Sequence, residues 1–142
     1  MTLTDSQLEF IDQNPGAAMI TIGADGMPKA VRVGVAVVDG SLWSSGTEGR
    51  VRTKRLLEDP RCTVIVFGDD RRALTLETRV SIIDGPDSVE DSVRLFRTMQ
   101  KRPEGELLWY GDELDEAAFR QRMLDEKRLI YEFEIEKAYG VE

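Results

Sequence analysis

The chain has 142 residues, 41% of them hydrophobic, and a formal net charge of -8. That length suits one ordinary domain with a real core, and the aliphatic content excludes a disordered chain. The absence of histidine and the single cysteine, Cys62, exclude the commonest general base, ordinary zinc sites and cysteine clusters, and the acidic balance argues against a nucleic-acid partner.

Thr4 and Gln7 have capping-box spacing, which predicts a helix over 5–13 ended by Asn14-Pro15-Gly16. The N-terminus has no basic stretch leading into an apolar one, and no segment reaches the roughly 20 apolar residues of a membrane span, so a cytoplasmic protein without membrane contact is expected. Residues 18–23 and 30–38 read as strands joined across Asp25-Gly26, and Asp39-Gly40 turns the chain into a third strand at 41–45. The stretch 46–61, GTEGRVRTKRLLEDPR, begins a short helix that Pro60 stops. Residues 62–67 and 73–84 form two further strands, with Cys62 as a small core residue.

Val89, Val93 and Phe96 then keep helical spacing over 88–100 behind Ser88 as the cap. The segment LLWYGDEL reads as a loop packing aromatic side chains, with Trp109, like Trp43, as a core or interface anchor. A second helix covers roughly 114–127, and an alternating strand runs from Arg128 to the end. About six antiparallel strands with glycine-containing turns point to a closed or nearly closed barrel, because closure removes sheet edges, and the helices flank it. One domain, residues 1–142, is expected.

Four cations, Arg50, Arg52, Lys54 and Arg55, crowd the start of the basic helix. A helix start already carries partial positive charge, so these cations call for an anion such as phosphate. Ser44, Ser45 and Thr47 offer hydroxyls just before them, and Gly46 and Gly49 permit close backbone approach. The alternative is a solvated helix face whose cations pair with Glu48, Glu58, Asp59 or the acidic C-terminal region. Arg32, a charge inside an apolar strand, either faces solvent or borders a flat ligand together with Gly34 on the same strand face. No pair of carboxylates stands in a context that suggests acid–base catalysis.

The segments ITIGADGMPKAVRVGVAVVDGSLWSSGTEGRVRTKRLLEDPRCTVIVF, LTLETRVSIIDGP and RLIYEFEIEKAYG, in this order, resemble the pyridoxamine 5'-phosphate oxidase-like split-barrel family, especially its deazaflavin (coenzyme F-420)-dependent branch. The resemblance implies a mainly β (α+β) fold, a six-stranded antiparallel split barrel with flanking helices. It also implies a homodimer with a cofactor groove at the subunit interface. By position, Ser45, Gly46, Thr47, Arg50, Val51, Arg52 and Lys54 meet the cofactor phosphate or its ribityl arm, and Arg32, Val33 and Gly34 border the ring system. The implied activity is an oxidoreductase passing a hydride between coenzyme F-420 and a small unsaturated or heterocyclic substrate, with no catalytic side chain and no metal assigned. FMN-dependent oxidase or reductase chemistry and non-catalytic cofactor binding, haem included, are the alternatives. Two departures stand out: Arg52 replaces a usual Lys eight residues before the proline, and Thr78 replaces a usual Gly.

Overall fold

The structure is a computed structural model describing residues 1–142. Helix α1 (Asp5–Gln13) starts as its sequence requires, with the Thr4 hydroxyl accepting from the Gln7 backbone N–H and the Gln7 side chain accepting from the Thr4 N–H. Strands β1 (Gly16–Ile22) and β2 (Pro28–Gly34) form the first hairpin, and β3 (Ala36–Val38) and β4 (Ser41–Thr47) form the second. The second turns on Asp39 and Gly40, with φ of 49° and 82°, the left-handed pair that matches the twist of a two-residue hairpin. Helix α2 (Val51–Glu58) precedes β5 (Arg61–Phe67) and β6 (Ala73–Ile83). Helix α3 (Ser88–Gln100), the short strands β7 (Leu107–Trp109) and β8 (Asp112–Leu114), helix α4 (Glu116–Asp125) and β9 (Arg128–Tyr139) complete the chain.

The sheet has seven strands in the order β2-β1-β5-β6-β9-β4-β3, every neighbour antiparallel. The seventh strand, against six expected, comes from a break within 28–38. The chain leaves β1 at Gly34, bends at Val35, whose N–H is bound by the Pro15 carbonyl at 2.9 Å, and joins β4 from Ala36. Consecutive residues thus occupy both sheet edges, and the sheet curls into a split barrel. Its interior is filled by alternate strand residues, among them Met19, Val64, Val66, Leu74, Leu76 and Tyr131, and is closed by Phe10 and Ile11 of α1 and Leu56 of α2.

Cys62 is buried in this core, and burial pushes its thiol up to about 12. Thr78 stands in the barrel wall at a register shift between β6 and β9, where its hydroxyl donates to the Cys62 carbonyl at 2.7 Å. The expectation for 107–114 needs correction: LLWYGDEL is a β-hairpin, with Tyr110 and Gly111 in the turn at φ of 47° and 88°. Ser88 also proves to be the first helical residue, behind Asp87 as N-cap, and its hydroxyl donates to the Gly85 carbonyl instead.

Helix α3 covers the outer face of β4 and β9 through Leu95, Trp43 and Ile130, and Val93, Leu107, Trp109, Phe119 and Met123 pack α3, the hairpin and α4 into an annex. The outer face of β2, β1 and β5 has no such cover. It carries half-buried Ile20 and Ile65 and an exposed Phe67. No helix is long and apolar enough to cross a membrane.

Candidate functional site

Between the barrel and the annex lies a groove of about 360 Å³. Arg32, Val33 and Gly34 of β2 and Ser44 and Ser45 of β4 form one wall, Arg50 and Arg52 the α2 end, and Arg128 the start of β9. Phe96 and Met99 of α3 and Leu108 to Gly111 of the hairpin form the other wall. Four arginines therefore line the groove and no carboxylate does, in a chain whose net charge is -8.

The barrel wall is set by packing. The Ser44 hydroxyl donates to the Gly34 carbonyl at 2.7 Å, tying β4 to the bend after β2. A Cβ on Gly34 would fall 2.6 Å from the sulfur of the flexible Met99 side chain. At Gly46 a Cβ would fall 2.3 Å from the Tyr131 ring, so this position is glycine because the core tyrosine occupies the space. The Tyr131 hydroxyl is hydrogen-bonded to the Thr53 hydroxyl, which in turn donates to the Thr47 carbonyl at 2.8 Å. This chain of contacts fixes where α2 begins.

Helix α2 opens at Arg50 with no side chain capping its first N–H groups and no acidic residue in its first turn. Arg52 is 7% exposed, its guanidinium lies 5.7 Å from the Tyr131 ring centroid, and its Nε is buried with no hydrogen-bond partner. The Ser45 hydroxyl is likewise buried and unpartnered. An unpaired buried donor costs about 1–3 kcal/mol, more when charged, so this end of the groove is built for an acceptor the protein does not supply. None of Arg50, Arg52, Lys54 and Arg55 lies in an ion pair. Asp59, one of the acids available to them, is engaged by Arg61 instead, whose hydrogen bonds hold its carboxyl down at about 2.

Of the residues singled out by sequence, Arg32, Val33, Gly34, Ser45, Arg50 and Arg52 come together in the groove. Gly46 and Thr47 instead pack the start of α2, and Val51 and Lys54 are exposed outside the groove lining. Arg32 also borders a neighbouring cleft of about 680 Å³ between the end of α1, the β1–β2 edge and Phe67. Thr78 is not among the groove residues, so that departure leaves the lining untouched.

Sequence reasoning missed the annex wall and Arg128. Arg128 is 9% exposed, its Nε and Nη2 donate to Glu126 Oε1 at 2.9 and 2.7 Å, and its guanidinium lies 4.8 Å from the Trp109 ring centroid. Trp109 Nε1 donates to the other Glu126 oxygen at 3.0 Å. The available signal was a cation heading an apolar strand, RLIYEF, a pattern shared with many strand ends.

The fold is shared with solved structures of low identity. A conserved hypothetical protein from Mycobacterium tuberculosis is 21% identical with a TM-score of 0.72, the alignment covering 97% of this chain and 87% of that one. A protein described as an F420 reductase is 15% identical with a TM-score of 0.68, covering 98% and 99% of the two chains. HutZ, the heme storage protein of Vibrio cholerae, is 15% identical with a TM-score of 0.67, covering 99% and 96%. Residues 3–142 match the family model described as pyridoxamine 5'-phosphate oxidase, and the chain belongs to that family.

Proposed function

We propose that residues 1–142 act as one domain that binds coenzyme F-420 in the arginine-lined groove and serves as an oxidoreductase for a small unsaturated or heterocyclic substrate. The observation that carries this reading is the α2 end of the groove, where the buried Arg52 Nε and Ser45 hydroxyl have no partner in the protein and no carboxylate lines the groove. A phosphate fits that donor set, since it accepts from guanidinium, hydroxyl and helix-start N–H groups together. The likeness to an F420 reductase is compatible with the choice of cofactor.

When bound, the deazaflavin supplies the hydride-carrying carbon. The chain's own part is positional. Arg50, Arg52 and Ser45 anchor the phosphate, Arg32, Val33 and Gly34 form the wall along the ring system, and Phe96 and Met99 exclude water from the opposite side. No side chain that lines the groove is an aspartate, a glutamate or a histidine, which suits a reaction in which the protein orients and desolvates its reactants. In this reading the protein is a homodimer with the cofactor groove at the subunit interface, a second copy docking on the uncovered outer face of β2, β1 and β5 beside Arg32, which borders the groove, and it works in the cytoplasm.

The test is a titration of the purified chain with coenzyme F-420 followed by the cofactor's fluorescence, with FMN and haem titrated in parallel. Saturable binding of the deazaflavin, and turnover of its reduced form with a panel of unsaturated acceptors, is the expected result. A yellow chromophore that copurifies and is identified as FMN would move the reading to FMN chemistry at the same phosphate-binding end. Deazaflavin binding without turnover would leave a cofactor-binding barrel.

A further inference from the structure

The β7–β8 hairpin carries its least expected residue at its tip. A two-residue hairpin turn with positive φ at both central positions favours Asn, Asp or Gly, and a bulky residue there is strained. This turn places Tyr110 at φ 47° ahead of Gly111. Tyr110 is 82% exposed, so burial of its ring does not offset the strain. Its ring stands edge-on to Trp109 at 4.9 Å and lines the groove beside Leu108, which is also exposed.

The hairpin is held rigidly around this tip. The Gln100 side chain donates to the Leu108 carbonyl at 2.8 Å and accepts from the Leu108 N–H at 2.9 Å, in the manner of a neighbouring strand. Arg102 grips Glu113 through two nitrogens, and Arg97 donates to the Gly105 carbonyl at 3.1 Å. A strained, exposed aromatic on a braced support is the arrangement of a binding wall, because strain persists where the surroundings enforce it and collects at ligand sites. Next to that wall, Arg128 spends Nε and Nη2 on Glu126 and has no protein partner at Nη1.

We infer that Tyr110 and Leu108, with Arg128 Nη1, form the substrate end of the groove and select a planar conjugated ring bearing an acidic substituent. This inference rests on the cofactor occupying the Arg50–Arg52 end of the same groove. The ring stacks on Tyr110, and the acidic group reaches the free guanidinium nitrogen. Tyr110 is then a specificity-determining residue whose contribution comes from its ring, with the hydroxyl dispensable.

The test uses equilibrium dialysis of the full chain with naphthalene-2-carboxylate and with its non-planar decahydro analogue, which carries the same acid group and the same single negative charge at neutral pH. Wild type, Tyr110→Phe and Tyr110→Ala are compared, with coenzyme F-420 affinity measured on each by fluorescence and folding checked by circular dichroism. The wild type and Tyr110→Phe are expected to prefer the planar acid, and Tyr110→Ala to lose about fivefold in its affinity, a typical loss for an aromatic contact. The affinity for coenzyme F-420 should stay within about twofold, since the phosphate contacts that dominate it lie at the other end. Equal binding of the planar acid by wild type and Tyr110→Ala, equal binding of the two acids by the wild type, or no binding of either overturns the inference. Planar selectivity that depends on Tyr110 in a chain that binds no deazaflavin supports the wall and overturns the cofactor reading.

Discussion

The molecule carries two groups of cations whose circumstances differ. Around α2, Arg50, Arg52, Lys54 and Arg55 make no ion pair, and Arg52 is buried despite that. In the annex, Arg94, Arg97, Arg102 and Arg120 each engage a carboxylate, and Arg97 also binds two backbone carbonyls. The same residue type thus does two jobs. The annex arginines neutralise an acidic region and brace a hairpin, whereas the α2 group keeps its donors free. An excess of acid elsewhere in the chain makes the second arrangement informative, because partners for these cations were available in the sequence and the fold directs them away.

The sharpest way to break this contrast is Arg52→Ala. If Arg52 is kept for a ligand, its loss should weaken coenzyme F-420 binding by roughly ten- to hundredfold, the worth of a charge-assisted hydrogen bond. The melting temperature should hold or rise, since a buried charge without a partner is removed. A fall in melting temperature with unchanged cofactor affinity would make Arg52 a structural residue like those of the annex.

The converse change is Arg97→Ala. Its side chain is 15% exposed and donates to the Arg102 and Gly105 carbonyls at 3.0 and 3.1 Å. Stability should drop by about 1–3 kcal/mol in denaturant melts, because those carbonyls lose their partner. Coenzyme affinity should stay within about twofold.

Salt gives a smaller contrast. Raising ionic strength should weaken cofactor binding measurably through the exposed Arg50, while the annex pairs, individually worth little, should leave the melting temperature nearly unchanged. A binding curve indifferent to salt would speak against an anion at the α2 end.

The smallest expected effect is in pH. The Glu113 carboxyl is held below the usual range by two hydrogen bonds from Arg102, and Glu90 by one from Arg120. Carboxyls lowered in the folded state add stability above their ordinary values, and that contribution is lost as pH falls through the folded ones. Hydrogen exchange corrected for intrinsic rates should therefore show residues 97–120, and the far end of α2 beside Asp59, loosening on acidification below about pH 4, the ordinary carboxylate range, before residues 50–55 at the start of α2, which include no carboxylate. At the basic end, Cys62, raised to about 12, should resist thiol reagents at neutral pH until the chain unfolds.

Much of the barrel was legible in the chain because its signals are local. The Thr4–Gln7 cap, the Asp39-Gly40 turn, the alternation in 73–84 and the helical spacing of Val89, Val93 and Phe96 each act through neighbouring residues, and each element formed where they indicated. The hairpin at 107–114 escaped because its strands are three residues long and its turn uses Tyr110 where turn chemistry favours small polar residues. The break at Val35 escaped because it depends on the Pro15 carbonyl, twenty residues earlier in the chain.

Sequence alone determined that cations gather at a helix start behind a run of hydroxyls and glycines, since charge, helix-start polarity and glycine freedom are properties of a few adjacent residues. Which of those groups face one space was decided by the tertiary structure. The Tyr131 ring excludes any side chain at Gly46, and the link through Thr53 to the Thr47 carbonyl sets the start of α2, leaving Lys54 outside the groove while Arg52 lines it. Arg128 and the Tyr110 wall join them only because β9 lies beside β4 and α3 carries the hairpin across. These are contacts between distant parts of the chain, set by core packing, and no local pattern encodes them.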